Sequence, residues 1–117
     1  MQIEIQARDF PLTPALRTHT ERRLAFALSK CYRHVRRILV RLSDINGPRG
    51  GDDKRCQLEV QLPGQAVVVV DTGSDLYRAI SRAASRAGQT VVRRLGRRRD
   101  SKRLRLPAPR AVPEHGD

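Results

Sequence analysis

The sequence predicts an α+β domain with the element order β-α-β-β-β-α, in which a four-stranded sheet carries two helices packed on one face. Polar and apolar residues alternate in four short segments, which is typical of half-buried strands. Apolar residues recur at helical spacing in two longer segments, and each of these follows residues that commonly begin a helix. At 117 residues the chain has room for one such domain and a short tail.

The first strand, the first helix and the second strand are predicted in the first 44 residues. In segment 2–7, Ile3, Ile5 and Ala7 alternate with polar residues and should face the core. Thr13 followed by Pro14 predicts a helix start, because the hydroxyl can accept a backbone N–H while proline suits the first helical position. This helix should extend to about Lys30. A second strand over 36–44 follows, and the strand-helix-strand run predicts a right-handed parallel crossover.

The second half of the domain is predicted as a loop, a hairpin and a long helix. Residues 46–53 are dense in Asn, Gly, Pro and Asp, which indicates an exposed, mobile loop. Alternating residues from Cys56 to Leu62, the turn at Pro63 and Gly64, and the strand 66–71 form a predicted hairpin. The second helix should begin near Asp75 or Leu76 and end near Leu95, where Gly96 weakens it.

The charge of the chain predicts a polyanionic partner. Lys and Arg total 24 against 12 Asp and Glu, a net charge of +12, and 21 of the 24 are Arg. With two Phe, two Tyr and no Trp, a platform of aromatic side chains for base stacking is not expected. The composition therefore favours contacts with a nucleic-acid backbone over base readout.

Other residues argue against several function classes. Cys31 and Cys56 are the only cysteines, and the first residues do not show the pattern of a signal peptide. We therefore expect a reduced, cytoplasmic protein with two buried thiols. The three His are scattered, so no metal site and no other cofactor is predicted. No apolar run approaches the ~18 residues of a membrane span. Because no acid, base and nucleophile converge, we expect no enzyme activity.

Arginines at regular spacing on the second helix form the most specific candidate binding site in the sequence. Arg78, Arg82 and Arg86 lie at i, i+4 and i+8, and the segment 76–96 contains no acidic residue. Like charges at this spacing destabilise a helix by about 0.2–0.5 kcal/mol per pair, so the pattern is unfavourable unless an anion relieves it. The planar, bidentate guanidinium suits phosphate.

The charge is concentrated in the C-terminal part of the chain. Residues 1–75 carry 12 basic and 9 acidic side chains, whereas residues 76–117 carry 12 and 3, net charges of +3 and +9. Beyond Gly96, basic residues and three prolines occur without apolar periodicity. We therefore predict a folded domain over 1–96 and a basic, Pro-containing tail over 97–117 that is disordered on its own.

Two motifs resemble those of one known family. They are Leu12-Thr13-Pro14-Ala15-Leu16-Arg17-x-His19 in the first helix and Asp75-Leu76-Tyr77-Arg78-Ala79-Ile80 in the second. Both are similar to the ribosome hibernation promoting factor and ribosome-associated inhibitor A family, also called sigma-54 modulation proteins. The resemblance covers about residues 1–96 and includes the predicted element order. Ser81 and the Ala-rich stretch 83–88 depart from the family pattern, which commonly has an acid after the Ala-Ile pair.

The resemblance implies a stress and stationary-phase factor that binds the small ribosomal subunit and its ribosomal RNA. Domain 1–96 would be the ribosome-binding domain, which would lie in the decoding channel, block the sites of messenger and transfer RNA, and so inhibit translation by occupancy. The residues implied to bind RNA are Arg22 and Arg23 of the first helix and Arg78, Arg82, Arg86, Arg93 and Arg94 of the second. Arg97 and Arg98 of the basic tail, outside the resemblance, complete the predicted RNA-binding residues.

The chain resembles the short form of the family, which lacks a second, dimer-forming domain. Among short members, one type promotes pairing of ribosomes with a separate ribosome modulation factor, and another keeps ribosomes single; the sequence does not choose between them. The alternative hypothesis is a ribosome-independent regulator that binds double-stranded RNA or another nucleic acid, because the α-β-β-β-α portion resembles that RNA-binding module.

Overall fold

In a computed structural model of the chain, residues 2–44 and 54–104 are described, except for the side chains of 97–104. The strands are β1 (Gln2–Arg8), β2 (Arg37–Asp44), β3 (Lys54–Leu62) and β4 (Gln65–Gly73), and the helices are α1 (Pro14–Ala27) and α2 (Leu76–Leu104). A short 3-10 helix, Tyr32–His34, connects α1 to β2. The order β1-α1-β2-β3-β4-α2 confirms the predicted α+β fold.

The four strands form one mixed sheet in the order β1-β2-β3-β4. β1 runs parallel to β2, as the predicted crossover requires, and the other two pairs are antiparallel. One row across the sheet joins Ile5, Val40, Leu58 and Val69. All four are buried, so this row marks the face that the helices cover.

A single aliphatic core lies between this face of the sheet and the two helices. α1 contributes Leu16 and Leu24, while α2 contributes Ile80, Val91 and a run of buried alanines between them. The opposite face of the sheet is mostly polar, with Glu4, Arg41 and other polar residues at alternate positions. The placement of both helices on one face agrees with the prediction.

Both helices begin where local side-chain chemistry predicts. The Thr13 hydroxyl accepts a hydrogen bond from the backbone N–H of Leu16 at 3.1 Å, and Pro14 occupies the first helical position. At the start of α2, the Asp75 carboxylate accepts from the backbone N–H of Tyr77 at 3.0 Å. These caps satisfy amide groups that the first helical turn leaves unpaired.

The ends of the two helices differ from the prediction. α1 stops at Ala27, three residues before the predicted Lys30, because the chain turns there to bury Leu28, Cys31 and Val35 on its way to β2. α2 continues to Leu104 and includes Gly96. A single glycine costs a helix about 1 kcal/mol relative to alanine, and the residues after it are mainly good helix formers, with no proline before Pro107.

Two predicted segments fall partly or wholly outside the described residues. The predicted loop 46–53 lies outside them, as do residues 105–117 of the predicted tail. The division of the chain at residue 96 stays a prediction.

The two helices contact each other at two places. The His19 Nε2 lies 3.1 Å from the backbone oxygen of Tyr77 and 3.2 Å from the Ser81 hydroxyl, and the His19 and Tyr77 rings meet edge to face. Two turns later, a Cβ on Gly88 would lie 2.5 Å from the Ala27 oxygen. The contact nearer the start of α1 is also the one nearer the start of α2. The two helices therefore lie side by side and roughly parallel.

Both cysteines are buried in the core with free thiols, as the sequence predicts. Burial and the neighbouring Asp71 carboxylate raise the pKa of Cys56 to about 12, and burial also raises the pKa of Cys31. The thiolate, which is the reactive form, is therefore disfavoured in the folded protein.

We expect Gly88→Ala to destabilise the domain by about 1–3 kcal/mol, because the added methyl must push the two helices apart. Gly96→Ala is the matched control, since no atom lies within 4 Å of a Cβ at that position. It should stabilise the domain by up to about 1 kcal/mol through helix propensity. Urea unfolding measures both; equal effects of the two substitutions would contradict the close helix contact.

We expect neither thiol of the folded protein to react with Ellman's reagent at neutral pH, whereas both should react after unfolding in guanidinium chloride. A thiol of the unfolded chain ionises near pH ~8.5, well below the folded pKa of Cys56. The Cys56 contribution to stability is thus present below that pH and decreases as the pH rises toward about 12. Rapid reaction of one thiol in the native state would contradict the burial.

Candidate nucleic-acid interface

The outer surface of α1 and α2 holds the predicted site residues whose side chains the structure describes. These are Arg22, Arg23, Arg78, Arg82, Arg86, Arg93 and Arg94. The side chains of Arg97 and Arg98 lie outside the described ones, although the backbone of both residues is helical. The structure divides the seven arginines into two groups with different surroundings.

The first group, here called the edge arginines, consists of Arg82, Arg86 and Arg94. They donate hydrogen bonds to backbone oxygens of the edge strand β4: Arg82 to Thr72 at 3.1 Å, Arg86 to Val70 at 3.0 Å and Arg94 to Ala66 at 3.2 Å. These contacts fix the edge arginines along the strand.

The spacing of helix and strand explains this match. Four helical residues rise about 6.0 Å, whereas two residues of a strand span about 6.7 Å. Arginines at every fourth position of α2 can thus follow carbonyl groups at every second position of β4. Thr90 occupies the remaining position in this series, between Arg86 and Arg94.

Asp71 supplies the anion that segment 76–96 of α2 lacks. It pairs with Arg82 at 3.1 Å and with Arg86 at 3.3 Å, and its side chain is only 11% exposed. The strand register places Asp71 beside Cys56, on the face of the sheet that the helices cover. Asp71 therefore relieves the repulsion between Arg82 and Arg86 within the chain.

Sequence reasoning missed this role of Asp71 because it looked for an acid on the helix alone. The available signal was the alternation Val67, Val69, Asp71, which places the carboxylate on the core face of an edge strand. A carboxylate there needs a cationic partner. The arginines of α2 supply this partner in the structure.

The second group, here called the outer arginines, consists of Arg22, Arg23, Arg78 and Arg93. In the part of the chain that the structure describes, none of them forms an ion pair. Arg93 makes one long hydrogen bond of 3.5 Å to the Thr90 hydroxyl, and the Arg23 guanidinium lies 5.6 Å from the centre of the Phe26 ring. The outer arginines keep most of their donor capacity for a ligand.

A further basic cluster lies on the opposite face of the sheet. Arg8, Arg41 and Arg55 line a depression of about 500 Å³ together with Gln57 and other polar residues. Sequence analysis did not single them out, although their positions on the polar side of alternating strands are visible in the sequence. Glu4 lies on the same face and pairs with Arg37, which lowers the pKa of Glu4, so this face carries mixed charge.

The described residues offer no site for a metal and no span of a membrane. Among them, no three His, Cys, Asp or Glu side chains converge closely enough to hold an ion. No described helix is both long enough and apolar enough to cross a bilayer. The chemistry that the helix surface offers is hydrogen bonding and charge attraction toward phosphate groups.

Comparison with known proteins places these observations in a family context. A family model described as "Sigma 54 modulation protein / S30EA ribosomal protein" matches residues 3–99. A ribosomal subunit interface protein from Coxiella burnetii matches with a TM-score of 0.70 at 21% identity, covering 82% of this chain and 99% of that one. The N-terminal domain of Protein Y from Thermus thermophilus matches with a TM-score of 0.61 at 32% identity, covering 77% and 91%. No curated protein sequence matches the chain.

We expect Asp71→Asn to lower the free energy of unfolding by about 1 kcal/mol, because the amide removes the charge and turns a donor toward the edge arginines. RNA affinity should not fall, since the change removes negative charge from the basic surface. Glu21→Gln, which removes a pair of 3.9 Å on the surface of α1, is the control and should change stability by less than about 0.5 kcal/mol. Urea unfolding and an RNA titration test both; an equally stable Asp71→Asn variant would contradict the pairing.

Proposed function

This chain belongs to the sigma 54 modulation protein and S30EA ribosomal protein family, and from that premise we propose that it inhibits translation by occupying the small ribosomal subunit. It would act in the cytoplasm, where ribosomes are, by lying in the decoding channel across the sites of messenger and transfer RNA. The family's description as a ribosomal protein supports the association with ribosomes, and the Coxiella burnetii protein, which shares the fold, is named a ribosomal subunit interface protein.

The observation that carries the proposal is the set of outer arginines on two helices held side by side. Arg22 and Arg23 of α1 and Arg78 and Arg93 of α2 carry charge that no carboxylate among the described residues neutralises. Ribosomal RNA offers phosphates at a density that suits such a surface, and each phosphate contact releases condensed counterions.

The proposed mechanism needs binding and no covalent chemistry. Guanidinium groups would bind phosphates in pairs of hydrogen bonds, while the sheet behind the helices keeps their spacing fixed. Two of the edge arginines remain half exposed, with 50% of the Arg82 side chain and 56% of the Arg86 side chain accessible, so they can add contacts without leaving β4. A protein bound in this way would inhibit translation because it occupies the space that messenger RNA and transfer RNA would otherwise fill.

Pairing of ribosomes would need a partner beyond this domain. We propose that a separate ribosome modulation factor would fill this role if the protein promotes pairing. Sucrose-gradient sedimentation distinguishes the cases, because paired ribosomes sediment faster than single ones, and adding such a factor to the mixture tests the partnership directly.

The alternative function is a ribosome-independent binder of double-stranded RNA. The run α1-β2-β3-β4-α2 favours it, because helices on one face of a three-stranded antiparallel sheet resemble that RNA-binding module. It predicts tight binding to an isolated RNA duplex at physiological salt. Weak binding to the duplex beside strong binding to the small subunit would exclude it.

We expect the double variant Arg78→Glu and Arg93→Glu to lose cosedimentation with small subunits, because it replaces two outer arginines with repelling charges. The dependence of log affinity on log salt should become shallower by about 1–2 units, since each phosphate contact contributes roughly 0.7–0.9. The matched control is Arg8→Glu with Arg41→Glu, which changes the net charge equally on the opposite face of the sheet.

The control should retain most of the binding and inhibition of translation in a cell-free reaction. Circular dichroism and urea unfolding test whether both double variants fold. If the two double variants lose binding to the small subunit equally, binding depends on the net charge of the protein, and the helix surface is not the interface. If neither loses binding, the proposed contact surface is wrong.

A further inference from the structure

Phe26 is an exposed aromatic residue of α1 that does not belong to the hydrophobic core. Its side chain is 73% exposed, the most of any large hydrophobic residue that the structure describes, whereas Leu24 and Leu28 on the same segment are fully buried. It therefore belongs to the outer surface of α1, next to the outer arginine Arg23.

Phe26 forms one wall of a groove between the two helices. The groove has a volume of about 640 Å³, and Val92 of α2, 46% exposed, lies among its lining residues. Its floor exists because Gly88 lets the backbones touch at Ala27. An apolar surface is thus accessible from solvent between the two helices that carry the outer arginines.

The groove carries positive charge and no negative charge in its lining. Arg23, Lys30 and Arg93 line it, and none of the residues that line it is acidic. The Arg23 guanidinium packs near the Phe26 ring, at 5.6 Å from its centre. The Nε of Arg23 is buried and, within the described structure, has no hydrogen-bond partner.

These features select among the possible occupants. A second copy of the chain would bring another net charge of +12 to an already basic groove, and repulsion opposes that contact. An RNA duplex keeps its bases stacked inside and presents no flat ring to Phe26. An unpaired base offers an aromatic face for Phe26 together with phosphates on either side for Arg23 and Arg93.

We propose that an unpaired nucleobase of the bound RNA stacks on Phe26, with its flanking phosphates held by Arg23 and Arg93. This inference rests on the proposed function and adds to it a specific class of RNA element, a single-stranded or bulged nucleotide. The scarcity of aromatic residues in the sequence argues against a platform for several bases. One exposed ring suffices for one base.

The absence of tryptophan from the chain allows a direct test. Phe26→Trp places a single indole in the groove, and stacking of a base on it quenches its fluorescence. Val68→Trp is the matched control, because Val68 is 57% exposed on the opposite face of the sheet. We expect a short single-stranded oligoadenylate to quench the indole at position 26 strongly and the one at position 68 little. Equal quenching of both would overturn the proposal.

A second variant separates stacking from charge. Phe26→Leu should lower the affinity for the oligoadenylate by roughly 10-fold, while the salt dependence stays unchanged, because stacking releases no counterions. Arg93→Ala should instead make the salt dependence shallower. Wild-type affinity of Phe26→Leu would overturn the proposal.

The outcome is distinguishable from failure of the proposed function. If the wild-type protein cosediments with small subunits but the indole at position 26 is not quenched, the stacking inference fails and ribosome binding stands. If quenching by the oligoadenylate occurs without cosedimentation, stacking stands and ribosome binding fails. If sedimentation equilibrium shows a dimer whose indole is shielded from acrylamide without RNA, a second copy fills the groove and the inference is wrong.

Discussion

The close approach of α1 and α2 at Gly88 determines how this protein presents its positive charge. A Cβ atom on residue 88 would lie only 2.5 Å from the Ala27 oxygen. Two turns earlier, His19 of α1 contacts Tyr77 and Ser81 of α2. The arginines of α1 therefore stand at a fixed offset from those of α2. A polyanion meets one preorganised surface instead of two independent helices, so less conformational entropy is lost on binding.

Much of the fold was predictable because burial on one face of a sheet leaves a clear period of two in the sequence. β4, predicted over 66–71, extends over Gln65–Gly73, and both helix starts follow from Thr13 and Asp75. The helix ends were less predictable because tertiary demands set them. α1 stops early so that Cys31 and Val35 reach the core, and α2 passes Gly96 since one glycine weakens a helix without ending it.

The sequence predicted which residue type forms the candidate site, but not that the arginines separate into edge arginines and outer arginines. Helical periodicity places the arginines on one side of α2, yet only the register between β3 and β4 reveals that Asp71 faces Arg82 and Arg86. Composition likewise counts two phenylalanines without indicating that Phe26 is exposed. Such features arise from contacts between elements distant in the chain, which periodicity within one element does not record.

The hydrogen bonds from α2 to β4 also protect the sheet. β4 is an edge strand, and the unpaired carbonyl groups of an edge strand offer a template on which another chain can add a strand and start aggregation. Val68 and Val70 are exposed on this strand and would strengthen such pairing. Arg82, Arg86 and Arg94 donate to three of these carbonyls and place charge along the edge, so α2 protects the protein from intermolecular β-pairing without the help of a ligand.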